Sequence, residues 1–153
     1  MRRGDALDTE PVIVSAKVTT PQLLRSAPYF PVANLALSME HYERILGFHR
    51  DYVGGSPADF AIMSRDGLSI MLRAVSTPER ISPNEKQGGT WDVFFWVRDA
   101  RALHAELRAR GANIVYGPIV QAAYRMEEFA ARDSDGYVLG FGQTLTPDNM
   151  TKA

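Results

Sequence analysis

The side chains with the most chemistry to offer sit in one short run, Trp91-Asp92-Val93-Phe94-Phe95-Trp96, which sets a single carboxylate among aromatic rings. Rings give flat stacking surfaces, and a lone carboxylate can accept hydrogen bonds from a ligand or pair with a cationic group on it. The chain has no cysteine, so a disulfide framework, a thiolate zinc site and a cysteine nucleophile are excluded. Its three histidines read as surface residues: His41 and His104 fall in helical patterns, and His49 follows a turn. No Ser/His/Asp arrangement, glycine-rich phosphate loop or basic stripe is present. For acid–base work only Asp92 and Glu127 stand out, and neither has a visible partner in the sequence.

These residues belong to a chain of 153, the length of about one domain and enough to bury a substantial core. Apolar residues make up 45% and charged ones 23%, which is globular composition and argues against wholesale disorder. Seventeen Lys plus Arg against eighteen Asp plus Glu leave a net charge of −1. Nucleic acid or an anionic membrane would call for a basic excess, so neither is an expected partner. The start, MRRGDALDTEPVIVSAKV, lacks an apolar stretch of signal-peptide length, and no run is long enough to span a bilayer. A soluble cytoplasmic protein is the expectation.

Stepping outward from the aromatic run, the chain repeats itself. Phe30-Pro31-Val32-Ala33-Asn34 recurs as Phe95-Trp96-Val97-Arg98-Asp99, each a short β-type segment ending on a good helix N-cap. After Asn34, Leu35, Met39, Tyr42 and Leu46 share one helical face and Gly47 ends the run. After Asp99, Ala100, Leu103 and Leu107 do the same, with Gly111 at the end. The segment Phe60–Leu72 aligns with Phe129–Phe141, and each copy reads as a hairpin turned at Asp-Gly. Phe48–Tyr52 and Ile114–Val120 supply a further strand to each half. The prediction is an α+β domain over 26–145, built of two βαβββ modules at 27–73 and 90–143. A connector at 74–89 joins them, an extension at 1–25 precedes them and a tail at 146–153 follows. Val12, Ile13, Val14 and Val18 would form a short strand in the extension.

The runs PVANLALSMEHYERILGF, VRDARALHAELRARGA and FAARDSDGYVLGFGQ resemble the vicinal oxygen chelate superfamily, which includes glyoxalase I, bleomycin-resistance proteins and extradiol dioxygenases. The resemblance implies a cupped mixed sheet in which two modules enclose a cavity, and a homodimer with that cavity at or near its interface. Enzymes of the superfamily hold a divalent metal with His and Glu side chains on equivalent strands. Carried onto this chain, the four ligand positions read Ala27, Met71, Asp92 and Gly140, of which only Asp92 could bind a metal. No metal or other cofactor is therefore expected. Strand alternation sends Tyr29, Pro31, Phe94 and Trp96 to the same side as Ala27 and Asp92, with Ser69, Met71 and Arg73 from one hairpin and Val138, Gly140 and Gly142 from the other.

Tyr29, Met71, Asp92, Phe94, Trp96 and Gly140 are thus the candidate ligand-binding wall. The same residues have a plainer reading, in which the rings pack a core and Asp92 bonds a neighbouring strand. The leading expectation is a metal-independent protein of the bleomycin-resistance type, sequestering a small aromatic or cationic organic molecule such as an antibiotic. The alternative is an enzyme of the lyase or dioxygenase type with an atypical site.

Overall fold

The computed structural model of the chain describes residues 20–150. The strand expected from Val12, Ile13, Val14 and Val18 lies outside the described residues. From Tyr29 onward the elements run β1 (Tyr29–Val32), α1 (Leu35–Arg44), β2 (His49–Gly55), β3 (Ala58–Arg65) and β4 (Leu68–Ala74). The connector carries two short 3-10 turns, Pro78–Arg80 and Asn84–Gln87. The second module repeats the first with β5 (Val93–Trp96), α2 (Ala100–Ala109), β6 (Asn113–Gln121), β7 (Met126–Arg132) and β8 (Val138–Thr144). One further turn of helix, α3 (Pro147–Met150), stands in the expected tail.

Local chemistry sets the helix ends. Asn34 Oδ1 accepts from the Leu37 amide at 3.1 Å and Asp99 Oδ1 from the Ala102 amide at 2.9 Å, satisfying donors that a first helical turn leaves free. Gly47 and Gly111, at φ of +74° and +90°, take the left-handed conformation that turns the chain back toward its sheet.

The strands form two four-stranded sheets, ordered β1-β4-β3-β2 and β5-β8-β7-β6. Each has one parallel pair, β1 with β4 or β5 with β8, and is otherwise antiparallel. The α+β class and both βαβββ modules stand as the sequence predicts. The sheets remain separate and do not close on each other within the chain.

Alternation divides the two faces of each sheet. Phe30, Val32, Ile70 and Leu72 of the first sheet, and Phe129, Ala131, Leu139 and Phe141 of the second, all lie in one continuous core with Leu35, Met39, Tyr42 and Leu107 of the helices. Contacts cross between the modules. The Phe30 and Tyr137 rings stack at 4.2 Å, and the Tyr137 hydroxyl donates to the Pro31 carbonyl at 2.7 Å. The turn after β7 sits against α1, where Tyr42 donates to Asp133 at 2.8 Å and Ser38 to Asp135 at 2.7 Å. The turn after β3 sits against α2 in the corresponding way, Arg65 pairing with Glu106 at 2.8 Å. The modules therefore meet through their helix-bearing faces, and the opposite face of each sheet turns away from the shared core.

Candidate functional site

Those two outward faces carry the candidate residues, divided between them. On the first sheet the register sets Tyr29 beside Met71 and Met71 beside Ile62. Arg73 reaches across this face: its Nε donates to the Tyr29 hydroxyl at 3.2 Å, its guanidinium lies 5.0 Å from the Phe60 ring centroid, and it pairs with Asp59 at 2.6 Å. Phe94, Trp96 and Gly140 lie on the second sheet, where the register opposes Phe94 to Gly140 and Trp96 to Gly142. Of the six candidates, Tyr29 and Asp92 border one cavity, a space of about 600 Å³ beside the connector that Arg80, Asn84 and Tyr137 also line, and Trp96 borders another of about 680 Å³ with Leu103, Glu106 and Phe141.

Asp92 is occupied structurally. Its Oδ1 accepts from the Asn84 amide and its Oδ2 from the Val138 amide, both at 2.8 Å, tying the connector and the start of β8 to the aromatic strand. Glu127, the other acid singled out from the sequence, faces the helix side. It is buried there and pairs with Arg101 of α2 at 2.5 Å, away from the open face.

On the second sheet the open face is a built surface. Trp91, Phe94 and Trp96 form a row of rings with successive centroids 4.6 and 5.2 Å apart. Gly140 and Gly142 make room for it. A Cβ on Gly140 would stand 2.7 Å from both Phe94 Cδ2 and Trp91 Cδ1, and one on Gly142 would stand 2.5 Å from Phe94 Cζ and against the Met126 methyl. Glycine here serves the close approach of rings to backbone. Trp96 closes the row with 71% of its surface exposed.

Beside the rings lies an acid that sequence reasoning missed. Glu128 opposes Gly142 across β7 and β8 and is 1% exposed. Its Oε1 accepts from the Tyr124 hydroxyl at 3.0 Å, the Tyr116 hydroxyl at 3.2 Å and Gln121 Nε2 at 3.4 Å. Trp91 Nε1 donates to the same Tyr116 hydroxyl at 2.8 Å, so the ring row and the acid share one chain of hydrogen bonds. Burial, reinforced by the Glu128 charge, pushes the Tyr116 hydroxyl up to about 12, and desolvation raises Tyr124 as well. Both phenols are therefore donors at neutral pH. Glu128 Oε2 is buried and has no partner among the described residues.

The four superfamily ligand positions do not fit a metal. Ala27 and Gly140 carry no donor atom, Met71 offers a thioether, and both Asp92 oxygens hold backbone amides. A ligating side chain at 140 would run into the Trp91 and Phe94 rings. Among the described residues no three His, Cys, Asp or Glu side chains converge as a metal site. His41 and His104 lie on the helices, where burial lowers both, and His49 is exposed and pairs with Asp51. No described helix is long and apolar enough to cross a membrane.

Comparison with known proteins agrees with this architecture. The family model described as the Glyoxalase/Bleomycin resistance protein/Dioxygenase superfamily matches residues 24–141. The structure of TioX from Micromonospora sp. ML1 is similar with a TM-score of 0.64 at 20% identity, over 80% of this chain and 99% of that one. A glyoxalase/bleomycin resistance protein/dioxygenase from Nocardioides gives 0.60 at 17% identity, over 85% and 89%. TnmS3, an antibiotic binding protein from Streptomyces sp. CB03234, gives 0.58 at 21% identity, over 80% and 98%. Among curated proteins none matches the sequence.

Proposed function

The chain belongs to the glyoxalase/bleomycin resistance protein/dioxygenase superfamily, and from that premise we propose that it binds a small aromatic or cationic organic molecule without a metal, as a homodimer. One observation carries the reading. The row of Trp91, Phe94 and Trp96, seated on Gly140 and Gly142 with successive rings tilted by 56° and 74°, is an aromatic wall where metal-dependent members of the fold would need ligating side chains, and its exposed Trp96 ring offers a face for stacking. The similarity to an antibiotic binding protein, TnmS3, is in keeping with a ligand of this class. Tyr29 and Met71 present a second apolar surface on the other open face, and a partner copy would provide a way to bring two such faces together.

Tryptophan-fluorescence titration with planar aromatic compounds, with and without EDTA, tests this reading. Binding should saturate and be indifferent to the chelator. Trp96→Ala removes an exposed ring, so unfolding stability should stay within about 0.5 kcal/mol of the parent. Affinity, in contrast, should fall by about 2 kcal/mol, the loss typical of a stacking anchor. Loss of binding in EDTA, or an unchanged affinity in Trp96→Ala, would refute the proposal.

A further inference from the structure

A buried carboxylate oxygen without a partner is costly, and native structures seldom keep one without a use for it. Glu128 Oε2 is such an atom, and it belongs to a residue 1% exposed on the face that carries the ring row. The other oxygen is supplied to excess, by Tyr116, Tyr124 and Gln121. All three are neutral donors. Among the described residues no Lys or Arg pairs with Glu128; Arg101 pairs with Glu127 and Arg132 with Glu85. The carboxylate is therefore oriented but its charge is not matched.

We propose that Glu128 is the polar anchor of this face and that the ligand it fits is an aromatic cation, whose ring packs against the aromatic wall of Trp91, Phe94 and Trp96 while a protonated amine reaches Oε2. The inference rests on the reading of the face as a ligand surface and names the chemical class that the surface selects. Geometry favours it. Glu128 stands opposite Gly142, and the space above that glycine is filled by the Met126 methyl and the Phe94 ring edge. Met126 is unbranched and adaptable, so it can turn aside for a ligand and re-cover the site when the ligand leaves. The hydrogen-bond chain from Trp91 through Tyr116 to Glu128 fixes the acid relative to the rings, so charge and stacking surface are held at a set spacing. Asp92 has no such role, because both its oxygens are engaged by backbone amides.

The test uses three probes with one ring system, 9-(aminomethyl)anthracene, 9-anthracenemethanol and anthracene-9-carboxylate, titrated into the full-length protein at neutral pH. The amine should bind about tenfold or more tightly than the alcohol, the difference expected for a charged hydrogen bond in a desolvated site, and the carboxylate most weakly. Glu128→Gln should erase the preference, leaving amine and alcohol with equal affinity. Equal affinity of the parent protein for amine and alcohol overturns the role of Glu128 while leaving aromatic binding intact. That ranking decides the matter even if Glu128→Gln fails to fold. A preference that survives in Glu128→Gln overturns it too. Failure of all three probes to bind overturns the aromatic-ligand reading itself.

Discussion

Whether an acidic side chain acts on a ligand or on its own fold is decided by the partners its oxygens already have. Asp92 and Asp133 are both fold-builders by this criterion. Asp92→Asn keeps the shape but turns an NH2 group toward the Asn84 or the Val138 amide, donor against donor. The expected outcome is a loss of about 1–3 kcal/mol in urea unfolding, with stacking ligands still bound; unchanged stability would mean that these two bonds are not what Asp92 contributes. Asp133 is held by Tyr42 from one side and by the Asp135 and Tyr137 amides from the other, yet burial pushes its carboxyl up to about 6. Because this lies above the ordinary 3.8, the contribution of Asp133 to stability is full below that value and is lost as pH rises through about 6. Tyr42→Phe removes a donor that favours the charged form, so its cost should be larger at pH 8 than at pH 5, reaching about 1–3 kcal/mol at the higher pH. Urea unfolding at the two values reads this directly. An equal loss at both would show that the Tyr42 hydroxyl does not act on the carboxylate.

At the scale of elements, most of the fold was legible in the sequence, and the miss has a definite cause. Caps, helical faces and hairpin turns are local chemistry, and they located both modules; alternation along β1 and β5 assigned Tyr29, Phe94 and Trp96 to the outward faces. The alignment of Phe60 with Phe129 fails. The first hairpin turns over Asp66-Gly67, whereas the second turns over Ser134-Asp135-Gly136, with the Asp133 amide bonded to the Tyr137 carbonyl. That extra residue leaves β4 and β8 in step but shifts β7 against β3, and a one-residue shift exchanges the faces of a strand. Glu128, opposite Gly142, therefore takes the place that Phe60 holds opposite Arg73, while Phe129 turns into the core and takes Glu127 to the same side. The five residues from Asp133 to Tyr137, read as a longer turn, would have been the signal. The glycines of β8 were legible as special positions, but what they make room for depends on side chains from β5 and β7. Gly140→Ala should force the Trp91 and Phe94 rings off the strand, costing about 1–3 kcal/mol of overpacking and weakening any ligand that stacks there. Urea unfolding and tryptophan emission measure the two effects; a variant as stable as the parent with unshifted emission would show that the rings do not rest on this glycine.

For the whole molecule, the arrangement of the modules leaves surface that a single chain does not cover. The helix-bearing faces are joined in one core, so both opposite faces, with Tyr29 53% and Trp96 71% exposed, point outward. The edges are open as well. β2 ends one sheet with Tyr52 and Val53 exposed, and β6 ends the other with Val115, Ile119 and Val120 exposed. An edge strand rich in exposed apolar residues is a template for pairing unless it is covered or charged. A homodimer covers such surface with a self-complementary contact, since a twofold axis presents the same patch from both copies. Light scattering should therefore give twice the mass of one chain at micromolar concentration. Val120→Lys, a charge on the exposed β6 edge, should shift the equilibrium toward single chains while circular dichroism stays unchanged, because the side chain lies outside the core. A single-chain mass for the parent protein would refute the dimer. A Val120→Lys variant that stays dimeric would place the contact elsewhere, and Tyr52→Lys on β2 would then be expected to release the chains.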